Sequence, residues 1–274
     1  MGTENRNPRS YGLDSMSAKE IVRLMNEEEH AVMRALQAAE DAIAEAAIRV
    51  AEAFKQGGRV IYLGAGTSGR IATMDAAEMP PTFGIESDRF VALVSGGHLA
   101  AERSIEDAED DALASVHALN ELRLNQKDVV IGITASGTTP YVLSGVRHAR
   151  QKGVWVAGIA NNPRSPLLEL VDLPILLDTG PEVLTGSTRL KAGSAQKLAL
   201  NRISTAAMVL CGKVVENLMV DVKAKNQKLK ERCARIVREL TNATEDEAWD
   251  LLEKNEWSIR AVLTQLKTAP AGVQ

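Results

Sequence analysis

Hydrophobic and polar positions follow two rhythms along this chain. Residues 1–15 read as an extended arm rich in Asn, Arg and Gly, and from Met16 to Lys55 the apolar residues recur at helical spacing. Ser17 with Glu20 three residues later forms a capping box ahead of Ile21, Leu24 and Met25. From Val32 to Lys55, the stripe Leu36, Ala39, Ile43, Ala46, Ala47, Val50 and Phe54 predicts one Ala-rich helix that stops at Gln56-Gly57-Gly58. The rhythm then changes. Short, continuously apolar runs begin at Val60, Phe90, Val129, Val154 and Leu173, each passing into small polar residues. Strands of this kind, separated by helical segments, predict an α/β fold: a five-stranded parallel sheet with helices on both faces. A long helix is expected from Ala192 to Val222. Three short helices follow within residues 227–268, broken near Thr241-Asn242 and Asn255-Glu256, and Thr268 to Gln274 reads as a disordered tail. The expected organisation is an arm with N-terminal helices (1–55), an α/β domain (56–226) and a small helical C-terminal domain (227–274).

Composition narrows the classes. The chain has 274 residues, 45% of them hydrophobic but only 3% aromatic, so the core must be built from Ala, Val, Leu, Ile and Met. A formal charge of −4 argues against a nucleic-acid partner, which needs a basic face. Cys211 and Cys233 fit neither a disulfide framework nor a zinc spacing, which points to a reducing compartment, the cytoplasm. The polar stretch Met1 to Ser15 lacks the apolar region of a secretion signal, and no apolar run reaches the ~20 residues of a membrane helix. His30, His98, His117 and His148 are scattered among no other ligands at metal spacing, so neither a metal nor another cofactor is expected.

The candidate chemistry lies where parallel sheets bind ligands, outside the carboxyl ends of the strands. The first such loop, Gly64-Ala65-Gly66-Thr67-Ser68-Gly69, matches G-x-G-x-x-G between a strand and a helix. The second strand ends in Val94-Ser95-Gly96-Gly97, without the acidic residue that a dinucleotide ribose requires, which disfavours a nicotinamide or flavin site. The loop suits a phosphate or sugar hydroxyls; alternatively it is a tight turn with Ser68 capping the helix. In the third loop, Ser136, Thr138 and Thr139 place three hydroxyls around Gly137, and Pro140 is suited to a first helical turn. Hydroxyls with free backbone N–H groups make an anion cradle, and without a Gly-Lys-Ser/Thr ending it suits a phosphate monoester better than a nucleotide. Two groups of carboxylates stand out. In Asp75-Ala76-Ala77-Glu78-Met79-Pro80-Pro81 the prolines are expected to end the helix. That puts Glu78 in its last turn, where the helix dipole favours the protonated carboxyl, a candidate general acid. The run from Glu106 to Asp111 holds five acids in six residues. Either it is a solvated face or one acid turns inward as a base, and the residues do not say which. The long polar connection 180–194 offers Arg189 and Lys191 to an anion.

At these residues the chain resembles the sugar isomerase (SIS) domain superfamily and, within it, the N-acetylmuramic acid 6-phosphate etherases. The resemblance is carried by five stretches: Ile61 to Arg70, Asp75 to Gly84, Ala135 to Val142, Thr185 to Gly193, and Asn217 to Val222. The opening Thr3-Glu4-Asn5-Arg6-Asn7 fits as well. The resemblance implies cleavage of the lactyl ether of a sugar phosphate by elimination and hydration. It implies catalytic roles for Glu78 and Glu109, and substrate or phosphate contacts from Gly66, Thr67, Ser68, Ser136, Gly137, Thr138, Thr139 and Lys191. It also implies a homodimer. The chain departs from the common family pattern at Thr138, where relatives commonly carry Arg, and at Asp107, where they commonly carry Gly. Other readings on the same scaffold are a non-catalytic sugar-phosphate-binding regulator and a sugar-phosphate isomerase.

Overall fold

The structure is a computed structural model that describes residues 2–103, 105, 107–224 and 226–268. Its helices and strands, in chain order, are α1 (Ala18–Glu28), α2 (His30–Ala38), α3 (Glu40–Lys55), β1 (Val60–Gly64), α4 (Gly66–Phe83), β2 (Phe90–Val94), α5 (Leu99–Glu102), α6 (Ala114–Glu121), β3 (Val129–Thr134), α7 (Pro140–Gln151), β4 (Trp155–Ala160), α8 (Pro166–Leu170), β5 (Leu173–Leu176), α9 (Lys191–Leu210), β6 (Val214–Val215), β7 (Leu218–Met219), α10 (Gln227–Thr241), α11 (Glu245–Lys254) and α12 (Ile259–Thr268). The chain divides into two compact units. One comprises residues 1–77 and 88–207, the other residues 78–87 and 208–274.

The first unit holds the five-stranded sheet, in order β2-β1-β3-β4-β5 with every pair parallel. Alternation across the pleat sorts the buried side chains onto two faces. Ile61 and Leu63 of β1 pack with Val130 and Val156 against Leu119 of α6, Val142 and Val146 of α7, and Leu167 of α8. Tyr62, between them, turns to the other face, where its hydroxyl donates to Asp75 of α4 at 2.9 Å. Asp75 also accepts from Asn201 and Ser204 of α9, both at 3.1 Å. Burial raises the Asp75 carboxyl above its ordinary range despite these three donors, and it pushes the Tyr62 phenol well up. The capping box at Ser17 and Glu20 forms as expected.

The second unit is helical. Val220, Val222, Cys233, Ile236, Leu252 and Val262 are among the residues of its own core. Trp249 and Trp257 meet edge to face at 4.9 Å. Asp221 accepts from Arg260 at 2.5 and 3.0 Å and from Lys213 at 3.1 Å.

Three expected boundaries are corrected. The predicted helix 32–55 is two helices, because the backbone leaves helical geometry at Ala39 (φ −98, ψ 9). The helix expected to reach Val222 ends at Leu210; Cys211-Gly212 turns the chain into the short antiparallel pair β6–β7, whose turn puts Glu216 at φ 52. Pro80 and Pro81 do not end α4; both lie inside it, and Gly84 N–H bonds the Pro80 carbonyl at 2.9 Å. Proline's φ fits a helix, and the cost is the N–H groups that the Ala76 and Ala77 carbonyls would have received, together with crowding of the rings against those carbonyls. The three C-terminal helices break where the sequence predicts, at Asn242 and Asn255. The expected tail beyond Thr268 lies outside the described residues. Among those residues no helix is long and apolar enough to cross a membrane.

Candidate active site

The loops at the strand ends of the first unit carry most of the predicted site. After β1 the chain turns at Gly66 (φ 53), which begins α4; a β-carbon there would meet nothing within 4 Å, so its backbone faces open space. Thr67 is half-buried beside it. Ser68 does not cap the helix. It is buried and donates to Gln196 Oε1 at 2.8 Å; Gln196 Nε2 donates to Asn161 Oδ1 at 2.9 Å, and Asn161 Nδ2 donates to the Leu177 carbonyl at 2.8 Å. This buried polar chain joins the ends of β1, β4 and β5 to α9.

The loop after β3 closes on its own hydroxyls. Thr138 N–H and Oγ1 donate to Ser136 Oγ at 3.2 and 2.9 Å. Thr139 is buried and pairs with Thr134 Oγ1 at 2.7 Å, so of the three predicted hydroxyls it is Ser136 and exposed Thr138 that face outward. Gly137 has φ 74, and its α-carbon lies against Ser165. Thr139 precedes Pro140 at the first position of α7, as expected. The Asn162 side chain reaches the Ser136 carbonyl at 3.3 Å and accepts Thr3 N–H at 2.8 Å, which ties the N-terminal arm to this loop.

The acidic run forms a 3-10 turn, Ala108–Asp110; Glu106, within the same run, lies outside the described residues. Ser95 at the end of β2 donates its hydroxyl to the Ala108 carbonyl. Asp107 adopts φ 58, in the left-handed region that favours glycine, the residue the resemblance expects there. Exposed Glu109 lines a cavity of about 180 Å³ with Gly66, Arg70, Ser95 and Asp107. Arg70 and Ser95 were not picked out from the sequence as site residues; their positions beside the glycine loop and the β2 end were the available signal.

Lys191 sits differently from the other predicted contacts. It is buried at the start of α9, and its ammonium donates to Glu28 Oε2 at 2.5 Å. Burial tends to raise the Glu28 carboxyl. Hydrogen bonds from Lys191 and Asn7, with the Lys191 and Arg9 charges, override it and hold the carboxyl below its ordinary range. Fully buried Glu182 accepts the Lys191 and Ala192 N–H groups at 3.1 and 2.9 Å, the service of a helix cap; its carboxyl is raised by burial.

Glu78 belongs to the second unit. It is exposed and two residues ahead of Pro80, inside α4 rather than in its last turn, so the dipole argument for its protonation does not hold. It lines a cavity of about 660 Å³ with Pro81, Met219, Lys223, Leu229 and Arg232, all of that unit.

A parallel sheet with these polar loops at its strand ends defines a SIS-class protein. The model described as the N-terminal SIS domain of glucokinase regulatory protein matches residues 42–150, and the SIS domain model matches residues 113–203. Among solved structures, a phosphoheptose isomerase from Francisella tularensis superposes with a TM-score of 0.55 at 19% identity, over 71% of this chain and 100% of that one. One from Neisseria gonorrhoeae gives 0.51 at 20% identity, over 70% and 98%. The chain belongs to the N-acetylmuramic acid 6-phosphate etherase family. It is 48% identical over 239 residues to the protein of that name from Histophilus somni (strain 129Pt), covering 87% of this chain and 79% of the relative. It is 46% identical over 264 residues to that from Geobacillus sp. (strain WCH70), covering 96% and 90%.

Proposed function

We propose that this chain is a carbon–oxygen lyase that cleaves the D-lactyl ether of N-acetylmuramic acid 6-phosphate, giving N-acetylglucosamine 6-phosphate and D-lactate in the recycling of peptidoglycan amino sugars. One observation carries the reading: 44–48% identity, over most of both chains, to proteins that bear this activity in their name. In the open-chain aldehyde the proton at carbon 2 is acidic. Glu109 takes that proton, the bond from carbon 3 to the ether oxygen breaks, and Glu78 supplies the proton with which lactate leaves. Water then returns a hydroxyl to carbon 3 and a proton to carbon 2. The Gly66-Thr67-Ser68 turn and the Ser136–Thr139 loop take the phosphate, through backbone N–H groups and the outward hydroxyls. With its ammonium committed to Glu28, Lys191 serves by fixing the first turn of α9 rather than by touching phosphate. The working form is a cytoplasmic homodimer, with neither metal nor cofactor and no nucleic-acid or membrane partner.

The test is lactate release from N-acetylmuramic acid 6-phosphate in water enriched in oxygen-18 and deuterium. Lactate, with oxygen-18 at carbon 3 and deuterium at carbon 2 of the sugar product, is the expected result. Absence of lactate from folded protein overturns the reading. The match of residues 42–150 to the glucokinase regulatory protein model favours a second reading, a sugar-phosphate-binding regulator without turnover. It predicts saturable binding of sugar phosphates and no lactate.

A further inference from the structure

The substrate in the proposed reaction carries two anionic groups, the phosphate and the carboxylate of the lactyl arm. The strand-end loops account for the first only. The second is fixed by covalent structure: the lactyl carboxyl is attached to the carbon that bears the ether oxygen. Whatever acid protonates that oxygen therefore works beside a carboxylate. A carboxylate taken out of water into a cavity needs nearby cations to hold it. The cavity that holds Glu78 contains such cations. Its charged lining is Glu78 and Glu86 with Lys223 and Arg232, and Met219 and Leu229 add apolar surface. Its volume of about 660 Å³ falls within the ~300–1,000 Å³ typical of small-molecule sites. Arg232 lies in the second turn of α10, half-buried, with no hydrogen bond or ion pair to any described residue. Arg260 of the same unit, by contrast, is already committed to Asp221. Exposed Lys223 precedes α10 and is likewise uncommitted.

We propose that Arg232, assisted by Lys223, binds the lactyl carboxylate beside Glu78 and so selects the ether substrate over sugar phosphates that lack the lactyl arm. The guanidinium presents two parallel N–H donors that match a carboxylate, and its half-buried stem limits how many geometries it samples. The apolar lining leaves room for the lactyl methyl group. This inference rests on the proposed etherase reaction and adds to it the recognition of the leaving group.

The test compares Arg232→Ala with wild type on two ligands. KM for N-acetylmuramic acid 6-phosphate is expected to rise about ten- to a hundredfold, the usual scale for losing a charge-assisted bidentate contact. The inhibition constant of N-acetylglucosamine 6-phosphate, which has no lactyl group, is expected to stay within about twofold. Arg232→Lys restores part of the KM, and Lys223→Ala gives a smaller shift in the same direction. An unchanged KM in active Arg232→Ala, or equal losses for both ligands, overturns the inference. If Arg232→Ala does not fold, Arg232→Gln and Lys223→Ala decide by the same two-ligand comparison. A wild-type protein that releases no lactate fails at an earlier step, and overturns the functional reading together with this one.

Discussion

Replacing Gly137 with alanine tests whether the hydroxyl loop after β3 owes its shape to one glycine. Three costs can be worked out. At φ 74 an alanine enters the left-handed region, which costs about 1–2 kcal/mol. The new β-carbon would also lie 2.0 Å from Ser165 Cβ and 2.2 Å from its Oγ. Ser165 Cβ is attached directly to backbone and cannot swing aside, so the two segments must separate, at a cost of about 1–3 kcal/mol as for other overpacked sites. Separation also stretches the bond from Leu167 N–H to the Gly137 carbonyl, now 3.1 Å, a loss of about 1 kcal/mol. Gly137→Ala should therefore lose about 3–6 kcal/mol, a large part of the ~5–15 kcal/mol that stabilises a typical domain. Urea unfolding followed by circular dichroism reads the loss as a shift in midpoint. The Ser165 hydroxyl has no hydrogen-bond partner among the described residues, so Ser165→Gly alone should cost little. In the Gly137→Ala/Ser165→Gly double variant the steric part should return, leaving the left-handed part of about 1–2 kcal/mol. A single Gly137→Ala variant within about 0.5 kcal/mol of wild type would refute the reasoning.

Glu78→Gln and Glu109→Gln should each fold normally and lower lactate release by about 10²–10⁴-fold, the usual worth of a positioned acid or base; near-wild-type turnover in either removes that residue from the mechanism. Glu28→Ala leaves the Lys191 ammonium buried opposite nothing and should cost about 3–5 kcal/mol in urea unfolding, while Lys191→Met/Glu28→Leu should recover much of it. Glu28, Asp128 and Asp221 all have carboxyls held below their ordinary range: burial opposes this in each, and hydrogen bonds from Lys191, Arg59 and Arg260 respectively prevail. Their contribution is complete above the unfolded carboxylate range and is lost as pH falls through the lower folded values. The melting temperature should therefore drop between about pH 5 and about pH 3, with a shallower drop in Glu28→Gln. Tyr62→Phe removes one of three donors to buried Asp75 and should cost about 1–2 kcal/mol, read from the same urea midpoints.

The strands were legible because a parallel sheet covered on both faces demands continuous apolar runs, and few other segments of this chain have them. The capping box at Ser17 and the proline opening α7 were legible for a similar reason: each is a local rule that tertiary contacts did not override. The misreadings share a different cause. Pro80 and Pro81 argue locally for a helix end, since each lacks an N–H and crowds the carbonyl four residues earlier, yet the helix continues beyond them to Phe83. The buried ion pair of Lys191 was not legible either. Its partner, Glu28, is 163 positions away, a distance no local pattern spans. Asp107 marks a place where sequence and backbone disagree: a left-handed turn that would suit glycine is occupied by an acid, two residues before Glu109.

What the loops gain from the rest of the first unit is rigidity before any ligand arrives. Ser68, Gln196 and Asn161 are buried polar residues, each costly unless satisfied, and each is satisfied by the next until the chain ends on the Leu177 carbonyl. The backbone N–H of Asn161 bonds the Ala135 carbonyl at 3.0 Å, and its neighbour Asn162 holds the Ser136 carbonyl, so the β3 loop is tied into the same network. Four strand ends are thus fixed by side chains whose hydrogen bonds are already made internally. Gly66, Ser136 and Thr138 then stand with groups directed outward, on a frame that would lose little further freedom on taking the phosphate proposed above. Rigidity of this kind is what the proposed phosphate site requires beyond the composition of a polar surface loop.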